Sequence, residues 1–110
     1  MDQTERTRIY SKAWELWGDL QFIMMVEEPA ELIKAVTKYL RNRTRENGIH
    51  IAEEVADVEI MCEQFKLLSP EMNQLVEKYK EEKLERLKRN VEAASEPSPK
   101  ARRVGISSES

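Results

Sequence analysis

Glu28-Pro29-Ala30-Glu31 and Glu54-Val55-Ala56-Asp57 are two carboxylate pairs of the same i, i+3 form with twenty-two residues between them. The stretch that holds them, Met24 to Asp57, decides the fold. On a helix such a pair leaves one face, with its Cβ atoms about 5–6 Å apart. At about 100° per residue, the face of Glu28 and Glu31 also carries Gln21, Met24, Met25, Leu32, Ala35 and Tyr39. The face of Glu54 and Asp57 also carries Ile51, Val58, Met61, Phe65 and Leu68. All four acids therefore point where a core is expected, from two consecutive helices. A buried carboxylate without a partner is costly, so such groups are paired, hydrogen-bonded or bound to metal. Four converging acids call for a divalent cation.

Outward from this stretch, the helical period continues in both directions. Upstream, the helix of the first pair reaches back to Asp19 and forward to about Arg43. Pro29 breaks its logic: a mid-helix proline removes a backbone hydrogen bond and clashes with the preceding turn. A kink, or a break with Pro29 in the first turn of a second piece, is expected there. Before it, Thr4 to Trp17 reads as a first helix with Ile9, Ala13, Trp14 and Trp17 apolar. Gly18 suits its C-terminal cap and Asp19 the cap of the next helix. Downstream, residues 41–48 read as a polar loop, followed by a third helix from His50 to Leu68 with a thin polar side, expected to be the most buried. Ser69-Pro70-Glu71 is a restart signal of N-cap, first-turn proline and first-turn acid. A fourth helix then runs to about Glu92, with Leu75, Val76, Tyr79, Leu84, Leu87 and Val91 along it. The reading is an all-α, four-helix bundle-like domain over residues 1–93, with a disordered tail from 94 to 110 whose composition holds almost nothing apolar.

The totals agree with that class. A chain of 110 residues supports one domain with a modest core. With 40% hydrophobic and 35% charged residues and only three glycines, it has the balance of a helical protein. A net charge of −3 argues against a general binder of nucleic acid polymers. The single Cys62 cannot form an intrachain disulfide, which fits a reducing compartment. No signal-peptide core opens the chain and no run is long enough to span a membrane, so a soluble, cytoplasmic protein is expected. Four short helices with two tryptophans have little other way to bury apolar surface than self-association, so a homodimer or homotetramer is expected.

Other residues have both a structural and a functional reading. Trp14, Trp17 and Tyr39 are amphipathic aromatics suited to a core, or to stacking on a nucleobase, with Trp17 the best placed for the latter. Gln21 lies two turns before Glu28 and suits reading a base edge, or a hydrogen-bonded place near the bundle end. Lys34, Lys38, Arg41, Arg43 and Arg45 follow the first pair, and Lys80, Lys83, Arg86 and Arg89 line the fourth helix. Such rows are usually solvated, but a polyphosphate needs cations as well as metal, and Lys38, Lys80 and Lys83 are the candidates chosen. His50 falls near the acid face, where capping and ligation are both open. Glu27 and Glu53, about 100° off each pair, suit the rim or support of the site.

Taken together, Trp17-Gly18, Gln21, Met25, Glu27-Glu28-x-x-Glu31-Leu32 and then Ile51-Ala52-Glu53-Glu54-Val55-Ala56-Asp57-Val58-x-Ile60-Met61 resemble the MazG-like all-alpha nucleoside triphosphate pyrophosphohydrolases. The run Tyr79-Lys80-Glu81-Glu82-Lys83-Leu84-Glu85-Arg86-Leu87 resembles the end of small, often phage-type members. The resemblance spans about residues 10 to 90 and departs from the family pattern at Pro29. It implies an oligomeric helical bundle that binds Mg²⁺, or Mn²⁺ in its place, through Glu28, Glu31, Glu54 and Asp57. It also implies cleavage of the α–β phosphoanhydride of (d)NTPs to (d)NMP and pyrophosphate, a nucleotide-pool house-cleaning reaction. Oxygen-only ligands suit magnesium better than zinc. A phosphoribosyl-ATP pyrophosphohydrolase and a catalytically impaired helical interaction protein are the alternatives. A di-iron bundle is disfavoured because no histidine stands three residues after any of these glutamates.

Overall fold

The computed structural model describes residues 1–96, and among them every element is a helix. These are α1 (Gln3–Trp17), α2 (Leu20–Arg41), α3 (Arg45–Lys66) and α4 (Pro70–Ser95). Two units are distinguished, Met1–Asn73 and, among the described residues, 74–96.

The first unit is built on the α2–α3 hairpin. Only residues 42–44 separate the two helices, so they return antiparallel. The turn is shorter than the polar loop expected over residues 41–48, and Thr44 is the reason. Its extended backbone (φ −91°, ψ 157°) and its Oγ1, which accepts from the Asn47 N–H at 3.1 Å, start α3 three residues before Gly48. The Asn47 side-chain amide in turn donates to the Asn42 carbonyl at 2.8 Å, which ties the first turn of α3 to the end of α2. Gly48 then passes Tyr39 closely: a Cβ there would meet the Tyr39 ring at 3.5 Å.

Gly18 ends α1 with a positive φ of 49°, and its N–H donates to the Trp14 carbonyl at 2.9 Å. Asp19 stands at the N-cap of α2, but its side chain makes no capping hydrogen bond, contrary to the sequence expectation. Its own backbone is helical, so its carboxylate is not presented to the first-turn amides. α2 runs unbroken through Pro29. α1 is secured to the C-terminal half of α3 by polar contacts. The Trp14 indole N–H donates to the Gln64 carbonyl at 2.7 Å, and the Tyr10 hydroxyl donates to Glu63 at 3.2 Å. Trp14 also meets Phe22 edge to face, with ring centroids 5.1 Å apart.

The buried apolar residues among those described are Tyr10, Ala13, Ala35 and Met61, joined by the polar Gln21, Asn47 and Gln64. α3 is buried along one line only. Its Ile49, Val55 and Ile60 are exposed, so the expectation that it would be the most buried helix holds for the side facing α2 and not for the rest.

In α4 the restart signal works as expected: Ser69 Oγ accepts from the Met72 N–H at 3.1 Å. The helix carries no buried residue, and Tyr79, Leu84, Leu87 and Val91 are about half exposed, spaced out among charged positions. Ala94 and Ser95 close the helix rather than open a tail. The expected disorder of the tail falls, from residue 97, outside the described residues. No described helix is long and apolar enough to cross a membrane.

Candidate metal centre

The hairpin brings Glu28 of α2 against Glu54 and Asp57 of α3, residues far apart in the chain. One carboxylate oxygen of each lies within 4.8 Å of the others. Glu28 and Glu54 are partly buried and Asp57 is exposed. Two features of the sequence create this. The antiparallel return puts the first turns after Met25 opposite the turns before Val58, and the i, i+3 spacing of Glu54 and Asp57 places both on the side of α3 that faces α2.

The electrostatics follow from crowding. Partial withdrawal from water, the charges of Asp57 and Glu54, a hydrogen bond to Asp57 and the charge of Glu27 all push the Glu28 carboxyl above its ordinary value near 4.5. His50 leans into the same group from one turn before Glu54, its Nε2 being 3.3 Å from Glu54 Oε1. The Glu54 side chain is only 14% exposed, so this imidazole sets its orientation.

Glu31 is not in the group. It is exposed and lies 3.6 Å from Lys34 on its own helix. The inward aim expected of all four acids thus describes Glu28 and Glu54 best, with Asp57 at the rim. Glu31 is three residues past Glu28, and that 300° step, 60° short of a full turn, leaves it near the same face but outside the acid group. With Lys34, Lys38, Arg41 and His50 it lines a hollow of about 430 Å³. Lys38 is therefore in the neighbourhood expected of it, while Lys80 and Lys83 are exposed on α4, in the second unit.

A larger and mainly apolar hollow of about 900 Å³ opens between α1, the start of α2 and α3. Trp17 and Gln21 line it, as do Tyr10, Met24, Met61 and Gln64. Its wall includes Met24, one turn before Glu28, and Ala56, next to Asp57. Gln21 is 4% exposed and Gln64 8%. Gln64 Oε1 is buried with no hydrogen-bond partner, while its amide nitrogen is 3.8 Å from Met61 Sδ. The hollow and its unpartnered amide escape a reading by helix faces. The one available signal is a glutamine standing between the apolar Met61 and Phe65 of α3.

No family model, curated protein or solved structure matches the chain. The site must therefore be read from its own chemistry. Three carboxylates offer only hard oxygen donors, and their crowding disfavours the charged form of Glu28 unless a cation neutralises it. Neighbouring oxygens around a six-coordinate magnesium are about 2.9 Å apart and opposite ones about 4.2 Å, so the three carboxylates must draw closer than their present 4.8 Å span to share one ion. An all-oxygen donor set of this kind is of the type that could hold a hard divalent ion.

Proposed function

We propose that this chain is a metal-dependent nucleoside triphosphate pyrophosphohydrolase of the MazG-like kind, cleaving the α–β anhydride to a nucleoside monophosphate and pyrophosphate. The observation that carries the reading is the convergence of Glu28 with Glu54 and Asp57 across the hairpin. When bound, a divalent ion there supplies charge neutralisation and a more acidic water. The chain's own residues do the rest. Glu28, Glu54 and Asp57 hold the ion, and His50 fixes the rotamer of Glu54. Lys34, Lys38 and Arg41 supply positive charge along the adjacent hollow for the polyphosphate. Glu31, free of the acid group and exposed, is available to accept a proton from water. The apolar hollow with Trp17, Gln21 and Gln64 suits the base, since a planar heterocycle needs apolar walls and a few polar groups to orient it.

The test is a panel of NTPs and dNTPs with Mg²⁺ and a pyrophosphate readout. At least one nucleotide is expected to turn over, with loss of activity in EDTA. Removing a partner that merely supports a metal ligand costs about 10- to 100-fold, so Glu54→Gln should cost at least that much while leaving helix content unchanged. Full activity in that variant would place the chemistry elsewhere. A second reading, a helical interaction protein without catalysis, draws on the position of Glu31, which leaves three rather than four carboxylates together. Absence of both turnover and metal binding would favour it.

A further inference from the structure

Gln64 keeps one buried polar atom with nothing to bind. The residue is 8% exposed, and its Oε1 is buried without a hydrogen-bond partner. The other end of the amide is engaged, with Nε2 3.8 Å from Met61 Sδ. A thioether sulfur only accepts, so this contact assigns the nitrogen to the Met61 side and leaves the carbonyl oxygen as the free end. The backbone carbonyl of the same residue is already taken by the Trp14 indole. An unmet buried acceptor costs free energy, and in a native protein each one calls for a reason.

Its position supplies the reason. Gln64 lines the mainly apolar hollow of about 900 Å³, together with Trp17, Gln21 and Met24. It stands seven residues past Asp57, which is nearly two turns and about 10 Å along α3 on the same side of the helix. A nucleoside bridges such an interval, with its phosphates at the acids and the far edge of its base at Gln64. The α3 side of the hollow is rich in acceptors. Besides Gln64 it carries the carboxylates of Glu59 and Glu63, and Glu63 accepts from the Tyr10 hydroxyl.

We propose that Gln64 Oε1 accepts an N–H from the exocyclic amino group of the base, so that the site takes cytosine and adenine nucleotides in preference to uracil and hypoxanthine ones. The inference rests on reading the hollow as the base site, but not on hydrolysis at the acids. In cytosine and adenine the amino group projects from the ring edge and presents a donor. In uracil and hypoxanthine an oxygen stands at that place, and two acceptors meet with no proton between them. The ring N–H of those bases is a poor substitute, because a carbonyl oxygen beside it faces the same acceptor. Turning the amide over would offer Nε2 to an oxo base but would set its oxygen against the Met61 sulfur, acceptor against acceptor. Reaching the buried oxygen takes a small side-chain shift on binding, which is common at binding surfaces.

The test uses nucleosides without phosphate and the full chain in EDTA, so that neither metal nor turnover enters. In ¹⁵N-labelled protein the indole N–H groups of Trp14 and Trp17 and the side-chain amide of Gln64 report on the hollow directly. Titration is expected to shift these signals, with cytidine binding about ten-fold tighter than uridine, and adenosine about ten-fold tighter than inosine. Gln64→Met keeps the length of the side chain and removes the acceptor, so both ratios should fall close to one. Its Tm should not drop, because an unmet polar atom leaves an apolar setting. A glutamine with a structural role alone would move the Tm and leave the ratios untouched. Gln64→Leu gives the same readout if the methionine variant does not fold. Equal binding within each pair, or preference for the oxo member, would overturn the proposal, as would ratios that survive loss of the acceptor. Silence toward all four nucleosides would also overturn it, yet pyrophosphate release from the nucleotide panel would still support the hydrolase. Selective binding without any turnover would sustain the proposal and count against the hydrolase alone.

Discussion

Glu28 is partly withdrawn from water, faces the charges of Asp57 and Glu54, hydrogen-bonds Asp57 and follows Glu27, and every one of these raises its pKa. A carboxyl whose folded-state pKa lies above its unfolded value binds its proton more tightly in the native state. Its contribution to stability is then fully present below about pH 4.5 and is lost as pH rises through the raised value. In the metal-free protein, thermal stability is therefore expected to fall over the interval above pH 4.5. Glu28→Gln, which keeps the shape and removes the charge, should flatten that part of the profile and leave the neutral-pH protein more stable than wild type. Melting curves in EDTA between pH 4.5 and 8 test this. Wild type and variant with parallel profiles would mean that the crowding at Glu28 has no thermodynamic weight.

Proline at position 29 poses the sharpest question about an element. α2 continues through it, although an interior proline is roughly 3 kcal/mol worse than alanine in a helix. Pro29→Ala is therefore expected to stabilise the protein, by about 1–3 kcal/mol, or a rise in Tm of several degrees or more for a unit of this size. A lower Tm would show that the ring packs well enough to outweigh the lost hydrogen bond. The sequence could pose this conflict but not resolve it, because whether a helix breaks at proline depends on what holds its two halves. Here Gln21 and Ala35 are buried on either side of Pro29, along the line that faces α3. The same distinction explains the rest of what was legible. Apolar period and the Ser69-Pro70-Glu71 signal gave four helices and nearly all their ends. Thr44 was missed as a cap because Arg45-Glu46-Asn47-Gly48 has no apolar period to announce a helix. In the site, the i, i+3 arithmetic brought out Glu28, Glu54 and Asp57. It overreached at Glu31, since a 300° step stays near a face without guaranteeing contact across it. Gln64 and the apolar hollow depend on how three helices meet, which no single helix face encodes.

For the whole molecule, the ratio of buried to exposed apolar residues matters most. Among the described residues only Tyr10, Ala13, Ala35 and Met61 are buried apolar side chains, against a long run of exposed large ones. A core that small supplies little net stability by itself, and small domains of this kind add a metal, a partner or both. In the proposed site the Glu28 carboxylate opposes folding when bare and is relieved when a cation neutralises it, so ion binding there and stability would be one equilibrium viewed from two sides. A ligand that binds only the native state at about 100 times its Kd adds roughly 2.7 kcal/mol. For a unit of this size that corresponds to a rise in Tm on the order of 10–20 °C. Titrating Mg²⁺ or Mn²⁺ into the metal-free protein at neutral pH and fixed ionic strength should give a saturable rise of that order. Near pH 4.5 the rise should be smaller, because Glu28 must lose its proton to bind. Glu54→Gln should abolish it. If wild type and Glu54→Gln respond alike to millimolar divalent ion, the acids of the hairpin do not hold a cation, and the pyrophosphohydrolase reading fails with them.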